Sequence, residues 1–478
     1  MSTVIFWFRS DLRLHDQCAL AAAVEAAHAS GSGGAHLLPV VCLPELHSPT
    51  PWGFERVGTH RRAWAAAALG DLAAGLARLG NPLHVCRGLP AIALPALARA
   101  IGASVVVCEA IAAPYEQAEV AALRDAGLTV HTVWHSSLLQ PHDMPWPVEQ
   151  LPAVFTTFRQ AVERAGIAPL APLPAPLSLL PPPDVTPCVL ESAGAVPWVQ
   201  DSSAHAAFSE TADAAAVARG SSLANLRDRT NVASDYHLTG LADGCDPRSS
   251  FPYGMPACDG GETAALAHLA QYLARKLPHS YKATRNGLTG RDYSSKFSPW
   301  LATGALSARQ VFADLTTFER EHGANDGTYW LWFELLWRDY FRFLHLQYGP
   351  VLYRAQGLSA LPLARHNAQG FDRWCQGQTG EPLVDAAMRE LAATGYLSNR
   401  LRQVAASYLV HDLQGDWRAG AAWFESQLVD YDVYSNQGNW LYIAGRGTDP
   451  RGGRRFNHVK QAQDHDADGA YRRLWGTL

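Results

Sequence analysis

The sequence Val4-Ile5-Phe6-Trp7-Phe8 is apolar at every position. Such a short run, apolar on both faces, is typical of a strand buried inside a parallel sheet. Three further runs of this kind follow along the chain, over residues 37–42, 104–108 and 129–134. Ala-rich helical patterns, such as Arg61–Leu79 and Glu116–Asp125, lie between them. The alternation predicts βαβ units, and therefore an amino-terminal α/β domain over residues 1–140 with a Rossmann-like parallel sheet.

A proline-rich stretch separates this domain from the rest of the chain. Eight prolines lie between Ala168 and Pro187, and repeated X-Pro steps favour extended chain over helix. We therefore predict that residues 141–261 connect two domains. Beyond them the apolar spacing is helical, which predicts an all-α carboxy-terminal domain over residues 262–478. Its clearest helical patterns cover residues 262–277, 307–321, 328–347, 382–394, 398–413 and 419–428.

Composition excludes several classes of protein. The net charge of −5 over 478 residues argues against binding nucleic acid by bulk electrostatics. The segment 440–478 is locally basic, with seven Arg and Lys against four Asp, and is either a solvated tail or a rim that contacts phosphates. The eight cysteines lack zinc spacing, so we expect no metal site. Without a secretory leader or a membrane-length apolar run, we expect a cytoplasmic protein. We also expect a monomer, and the Ala-rich, Lys-poor composition suggests a bacterial source.

One strongly aromatic helix carries residues suited to chemistry. In the segment 329–341, Glu334, Trp337 and Arg338 lie on one helical face. Glu334 and Arg338 have the i, i+4 spacing of an ion pair. The first interpretation is therefore a buried pair with a structural role only. A carboxylate beside a Trp also suits a nucleobase, which would stack on the ring and hydrogen-bond the acid.

A second helix begins near Ser398, which is suited to an N-cap. Asn399, Arg402 and Gln403 follow it on neighbouring positions of one face. Arg402 is placed to pair with Asp430, in the segment Asp430-Tyr-Asp-Val-Tyr-Ser-Asn-Gln-Gly-Asn-Trp440.

Five motifs occur in the order that is found in one family, and together they resemble a photolyase/cryptochrome from about residue 4 to residue 473. The motifs are residues 7–16 (WFRSDLRLHD), 293–301 (YSSKFSPWL), 333–339 (FELLWRD), 398–403 (SNRLRQ) and 430–440 (DYDVYSNQGNW). The segments 439–445 (NWLYIAG) and 449–453 (DPRGG), with 281–287 and 154–159, resemble the DASH branch of cryptochromes.

The resemblance implies that FAD binds in the helical domain. It assigns the phosphates and the ribityl chain to Tyr281 and to the motif Ser294, Ser295, Lys296, Phe297 and Ser298, with Arg338 as a further cofactor-binding residue. The ring is assigned to the remaining residues: Arg402 and Asp430 pair over it, Asp432 meets its polar edge, and Asn436 lies near N5. A neutral Asn suits that place because it both donates and accepts hydrogen bonds.

The resemblance also implies light-driven repair of cyclobutane pyrimidine dimers by an electron from reduced FAD. Glu334 and Asn399 would hydrogen-bond the flipped-out dimer, Trp337 and Tyr442 would flank it, and Gln403 would line the same wall. Ordinary photolyases carry Met and Trp where this chain has Gln403 and Tyr442. The more polar pocket is similar to that of the DASH branch, which favours dimers in single strands, where no duplex has to be opened.

The resemblance further assigns DNA contacts to Arg285, Arg400 and Gln461, and solvated surface is the alternative for each of them.

Electron transfer to the flavin would use Trp440 and Trp417, while the third position of the family relay falls near Ala364, where no Trp stands. A folate antenna (methenyltetrahydrofolate) would contact Glu149. The alternative function is a blue-light-sensing cryptochrome that signals or regulates transcription, with little repair.

Overall fold

A computed structural model of the chain describes residues 2–29, 34–43, 48–183, 245–363 and 365–476. Its amino-terminal part is a five-stranded parallel sheet in the order β3-β2-β1-β4-β5. The strands are β1 (Ser2–Phe8), β2 (Ala35–Leu43), β3 (His84–Arg87), β4 (Val105–Glu109) and β5 (Thr129–Val133). Four of them were predicted. The edge strand β3 was missed, because it is only four residues long and both of its end residues are polar.

Strand β1 shows why the sheet is buried on both faces. Val4, Phe6 and Phe8 pack into one apolar cluster, and Ile5 and Trp7 pack into another on the opposite face. The first face is covered by α1 (Cys18–Ala29) and α2 (Thr59–Arg78), and the second by α3 (Pro90–Ile101) and α4 (Pro114–Asp125). The predicted α/β architecture is therefore confirmed.

The carboxy-terminal part is helical. Its helices are α6 (Glu262–Ala274), α7 (Tyr281–Thr284), α8 (Ser298–Thr303), α9 (Ala308–His322), α10 (Asp326–Tyr348), α11 (Ala368–Cys375), α12 (Pro382–Thr394), α13 (Asn399–Ser407), α14 (Trp417–Gln427), α15 (Val433–Ala444), α16 (His458–His465) and α17 (Ala470–Trp475); α5 (Phe155–Arg164) precedes them. The single helix predicted over 398–413 ends as α13 at Ser407 and continues as a π-helical turn over Tyr408–Asp412. Ser398 caps α13 as predicted, because its Oγ accepts the Leu401 N–H at 3.3 Å.

Buried polar contacts fix the sheet domain against the helices. The Arg309 guanidinium donates to Asp16 Oδ1 at 2.6 Å, and both side chains are buried. The Asp339 carboxylate on α10 accepts the N–H groups of Leu138 and Leu139 at 2.9 and 2.7 Å. Burial raises the pKa of Asp339 to about 6. Because these bonds hold α10 at the end of the sheet domain, they also set the position of the residues farther along that helix.

Within the predicted connector 141–261, the described part contains α5, which packs its Phe155 and Phe158 into the helical core. Residues 184–244 of the connector lie outside the described residues. In the described part of the chain, no helix combines the length and the apolar character needed to cross a membrane.

Candidate functional site

A cavity lies between α13 and α15, with about 500 Å³ of empty space that includes open solvent. It brings together residues that lie far apart in the sequence and that the motifs assigned to two different ligands. Asp430, Asp432 and Asn436 were assigned to the flavin ring, and Asn399 and Gln403 to the dimer; all five line this one cavity. Arg402, Tyr431, Ser435, Asn439 and Trp440 line it as well.

The predicted pair of Arg402 and Asp430 is present. The Arg402 guanidinium donates to Asp430 Oδ2 at 2.8 Å and to the Leu397 carbonyl at 2.8 Å. Ser298 Oγ donates to the same carboxylate oxygen at 2.7 Å. The Asp430 side chain is almost fully buried, and among the described residues its second oxygen, Oδ1, has no hydrogen-bond partner. A buried acceptor without a donor is costly, so this atom favours a ligand that donates a hydrogen bond into the cavity.

Asp432 begins α15 and is fixed from two sides. Its Oδ1 accepts the Ser435 N–H at 2.8 Å as an N-cap, and its Oδ2 accepts from Arg342 at 3.2 Å. Burial alone would raise the pKa of Asp432, but Arg342 and Arg338 hold that pKa below the ordinary value of an Asp. Asp432 is therefore a fixed negative charge at the cavity wall.

Asn436 lies one turn further along α15. Its Nδ2 donates to the Ala421 carbonyl at 3.1 Å, which orients the side-chain amide at the cavity wall.

The motif 294–298 has an unusual backbone. Ser294 and Lys296 have positive φ angles of 59° and 58°, which non-glycine residues adopt rarely and which cluster at functional sites. Phe297 follows with right-handed helical angles. A left-handed residue followed by a right-handed one, as Lys296 and Phe297 are, turns successive N–H groups to one side in the manner of an anion-binding nest, which suits a pyrophosphate.

Lys296 lies deeper than a surface phosphate ligand. Its Nζ lies 3.5 Å from the centroid of the Tyr293 ring and 5.0 Å from that of Tyr396. The side chain is buried, and among the described residues Nζ has no hydrogen-bond partner. Burial lowers the pKa of Lys296 to about 7, although Glu390 opposes the shift.

The other residues assigned to the cofactor do not line the cavity between α13 and α15. Tyr281 is buried on α7, and Phe297 packs its ring edge-on against Tyr272 at 5.1 Å. The Ser295 carbonyl accepts from His268 at 2.8 Å. Arg338 donates to the carbonyls of Ser136 and Leu301, at 2.7 and 3.2 Å.

The predicted pair of Glu334 and Arg338 is wrong. Glu334 Oε1 instead accepts from Arg285 Nη1 at 2.5 Å, while Arg338 turns to the two carbonyls. Glu334 pairs with Arg285, 49 positions away, rather than with its i, i+4 neighbour, because α7 packs against α10. Burial raises the pKa of Glu334, and the Arg285 charge opposes that shift.

Trp337 and Tyr442, the two predicted flanks of the dimer, lie against one another. Their ring centroids are 6.1 Å apart with an interplanar angle of 77°, so they form an open corner. Phe155 stacks on Trp337 at 3.7 Å and 14°, and Arg454 lies over Tyr442 at 4.7 Å. The corner borders a second cavity, with about 640 Å³ of empty space that includes open solvent, and Phe341, Leu344 and other apolar side chains line it.

The predicted DNA contacts lie around this region. Arg400 on α13 donates to Asn286 Oδ1 at 3.1 Å, and its guanidinium lies 5.7 Å from the ring centroid of Phe456. Gln461 lies on α16, where its Oε1 is buried without a partner among the described residues. Asn399 is exposed at the first turn of α13. The basic segment predicted after Trp440 is partly neutralised, since Arg451 and Arg454 both pair with Asp449.

Trp440 contacts two aromatic rings that are not part of the predicted relay. Trp440 is buried and meets Trp374 at 6.3 Å and Phe424 at 5.2 Å between ring centroids. Trp417 is buried on α14 and donates its indole N–H to the Ala355 carbonyl at 3.0 Å. Ala364, at the third family position, lies outside the described residues. The structure therefore adds Trp374 as a direct neighbour of the first relay residue.

Sequence reasoning missed three residues that shape the site. Arg342 holds Asp432, Phe155 covers Trp337, and Trp374 contacts Trp440. Arg342 carried a usable signal, since it lies eight residues after Glu334 on the same helix and is a charged residue in an apolar segment. Phe155 and Trp374 come from other elements, so no spacing within one helix points to them.

Comparison with known proteins identifies the family. The family model described as DNA photolyase matches residues 4–177, and the model described as FAD binding domain of DNA photolyase matches residues 330–476. Cryptochrome DASH of Gloeobacter violaceus is 40% identical, with 99% of this chain and 85% of that protein covered. The chain belongs to the photolyase/cryptochrome family.

Solved structures agree with this assignment. The cryptochrome of Synechocystis sp. is 37% identical and superposes with a TM-score of 0.82, covering 99% of this chain and 88% of that one. A class III photolyase of Agrobacterium tumefaciens is 29% identical, with a TM-score of 0.73 and coverage of 99% and 86%. The predicted likeness to the DASH branch is confirmed by the names of the curated relatives, among them the Cryptochrome DASH of Xenopus laevis, 38% identical.

The helical part is thus an FAD-binding domain, and the residues present fit FAD. The nest at residues 294–298 suits the pyrophosphate, and the orphaned Asp430 Oδ1 is suited to accept a hydrogen bond from the cofactor. In the described part of the chain, no cluster of His, Cys, Asp and Glu could hold a metal ion.

Proposed function

We propose that this chain repairs cyclobutane pyrimidine dimers in DNA, driven by blue light, and that it prefers dimers in single strands. The observation that carries the proposal is the cavity between α13 and α15, where Asn399 and Gln403, two of the five residues assigned to the dimer, line one space with residues assigned to the flavin ring. Electron transfer requires the two ligands to lie close together, and a common cavity provides that proximity.

Bound FAD, when reduced and excited by light, supplies the electron that splits the dimer. The chain then needs no nucleophile of its own, and its residues hold the substrate. Glu334 and Asn399 hydrogen-bond the dimer, and Gln403 lines the wall beside them. Trp337 and Tyr442 offer their open corner to the two bases, because stacked aromatic rings favour flat ligands. The assignment of each residue to its role is part of the proposal.

Preference for single strands follows from the energy of extrusion. A dimer in a duplex must leave its stack, which costs a few kcal/mol, whereas a single strand spares most of that cost. Tyr442 has a smaller ring than Trp, so stacking in the corner offsets less of the free energy needed to extrude a dimer from a duplex. Arg285, Arg400 and Gln461 contact the strand around the pocket.

Two further assignments belong to the same proposal. A folate antenna would contact Glu149, which is exposed beside α10, where its carbonyl accepts from Gln347 at 3.0 Å. We also place the protein in the bacterial cytoplasm, acting as a monomer.

The test is to illuminate reduced protein with oligonucleotides that carry one thymine dimer, as single strands and as duplexes, and to count restored thymines. We expect restoration in blue light, none in the dark, and faster repair of the single strand. Absence of repair on both substrates, in protein that retains FAD, would overturn the proposal and favour a blue-light signalling role.

A further inference from the structure

Beside the dimer corner, six aromatic rings form an unbroken row, which we call the aromatic ridge. It consists of Tyr329, Trp330, Phe333, Phe155, Trp337 and Tyr442. Successive ring centroids lie 6.3, 4.7, 5.2, 3.7 and 6.1 Å apart. The ridge starts at Tyr329, which is 37% exposed, and ends at the proposed dimer corner.

Cations cover the outer end of the ridge. Lys282 Nζ lies 4.8 Å from the Trp330 ring centroid, and the Arg285 guanidinium lies 5.2 Å from it. Arg159 donates to the Tyr329 hydroxyl at 2.7 Å and lies 5.9 Å from the Phe333 ring centroid. Aromatic rings interleaved with Lys and Arg are the combination that binds single-stranded nucleic acid, since bases stack on the rings and phosphates meet the cations.

Each of these cations has an acidic partner. Lys282 pairs with Asp326 at 2.7 Å, Arg285 with Glu334 at 2.5 Å, and Arg159 with Glu163 at 2.5 Å. The Lys282 pair is the most open, since 44% of its Lys and 82% of its Asp side chain are exposed. Such a surface pair contributes little to stability, so Lys282 can leave the Trp330 ring for a phosphate.

Arg285 joins the ridge to the pocket. It contacts the Trp330 ring and also holds Glu334, the carboxylate proposed to bind the dimer. From the corner at Trp337 and Tyr442, the stacked rings lead through Phe155 and Phe333 to Trp330. On one side Trp330 is backed by Phe333, stacked at 25°, so the ring is supported in a fixed orientation.

We propose that the outer end of the aromatic ridge is a binding site for single-stranded DNA, in which an undamaged base next to the dimer stacks on Trp330. In duplex DNA that base is paired and stacked within the helix, so only a single strand can use the site. The inference rests on the proposed function for the position of the dimer, and it adds a site that acts without light and without damage.

The test measures binding in the dark, with a fluorescein-labelled oligothymidylate of about 16 nucleotides that carries no dimer. We expect Trp330→Ala to weaken binding of this single strand at least about fivefold, because stacking of one base contributes about 1–3 kcal/mol and each 1.4 kcal/mol is tenfold in affinity. Trp330→Phe, which keeps a ring, should retain most of the affinity. Binding of the matching duplex should change little in either variant.

Tyr115→Ala is the matched control. Tyr115 is 37% exposed, like Tyr329, and its ring lies under Arg56 at 4.3 Å, but it belongs to the sheet domain. We expect it to bind the single strand as the wild type does. Retained FAD and an unchanged melting temperature show that each variant is folded. Equal affinity of Trp330→Ala and wild type, or equal weakening by Trp330→Phe and Trp330→Ala, would overturn the site. Because the probe has no dimer, loss of this site and loss of repair are separate results.

Discussion

Asp430 shows how one residue can tie cofactor binding to stability. Its buried carboxylate accepts hydrogen bonds from Arg402 and Ser298 on one oxygen, and among the described residues its other oxygen is buried without a partner. A buried charge that loses its partner is strongly destabilising, because the remaining charge stays desolvated. The same contact that fixes the cavity wall therefore also supports the helical domain.

We predict that Asp430→Ala lowers the free energy of unfolding by about 3–5 kcal/mol, since it leaves Arg402 unpaired. The protein should also be purified with less FAD. Asp430→Asn keeps an oxygen for Ser298 and Arg402, and should be destabilised less. Chemical denaturation and the ratio of flavin to protein absorbance measure both effects. An Asp430→Ala variant with wild-type stability would contradict the role given to this pair.

Burial of Lys296 makes the stability of the folded protein depend on pH. Its pKa falls to about 7 in the folded protein, below the usual value of 10.5 for a Lys. Between these values the unfolded chain binds the proton and the folded chain does not, so this residue makes stability rise with pH over that window.

Lys296→Met removes the buried amine. In FAD-free protein we expect the variant to be more stable than the wild type near pH 7, by about 1.4 kcal/mol per unit of pKa shift, and the difference to vanish as the pH approaches 10.5. Urea unfolding at several pH values measures it. A difference that does not change with pH would show that the amine is not desolvated.

Strands and helices were predicted correctly where the sequence pattern lies within a single element. The strands β1, β2, β4 and β5 and the helix α12 follow from apolar runs and from helical spacing. Helix α15 did not stand out, because Gly438 weakens its helical pattern. That Gly is required by packing, since a Cβ there would collide with the Phe341 ring. Such close approach of two helices leaves no trace in the spacing of either sequence alone.

The site was predictable where motifs carried it, and not where distant elements meet. The pair of Arg402 and Asp430 was found, whereas the partner of Glu334 was not, because Arg285 lies on another helix. The stacking of Phe155 on Trp337 likewise depends on how the connector helix α5 packs against the helical domain. Tertiary packing, rather than local preference, decides these contacts.

The elements around Trp440 predict how electrons reach the flavin. Trp374 on α11 meets Trp440 edge-on, and Trp417 lies on α14. We predict that Trp417→Phe sharply slows photoreduction of bound FAD, as the family relay implies. Trp374→Phe should slow it as well if electrons reach Trp440 from this direct neighbour.

Flash illumination with detection of flavin absorbance compares these two variants with Trp64→Phe. Trp64 is equally buried but packs against Phe251 and Trp300 near the sheet domain. We expect Trp64→Phe to photoreduce at the wild-type rate. An unchanged rate in Trp417→Phe would remove it from the relay.

For the whole molecule, the open corner of Trp337 and Tyr442 predicts the choice of substrate. Tyr442→Trp enlarges a ring that we propose flanks the dimer, and should therefore offset more of the cost of extrusion from a duplex. We expect the rate of duplex repair to rise relative to single-strand repair. The ratio of the two rates under the same light measures this, and a ratio that stays at the wild-type value would show that the corner does not set strand preference.

The most direct test of the account is dimer repair by Glu334→Ala, compared with the wild type and with Glu119→Ala at equal FAD content. Glu119 also pairs with an Arg, at 2.7 Å to Arg9, but it lies in the sheet domain. We expect illuminated wild type and Glu119→Ala to restore thymines in a single strand. Glu334→Ala should restore them at least about tenfold more slowly, because it loses a charged hydrogen bond to the dimer. Repair by Glu334→Ala at the wild-type rate, or no repair by the wild type, would contradict it.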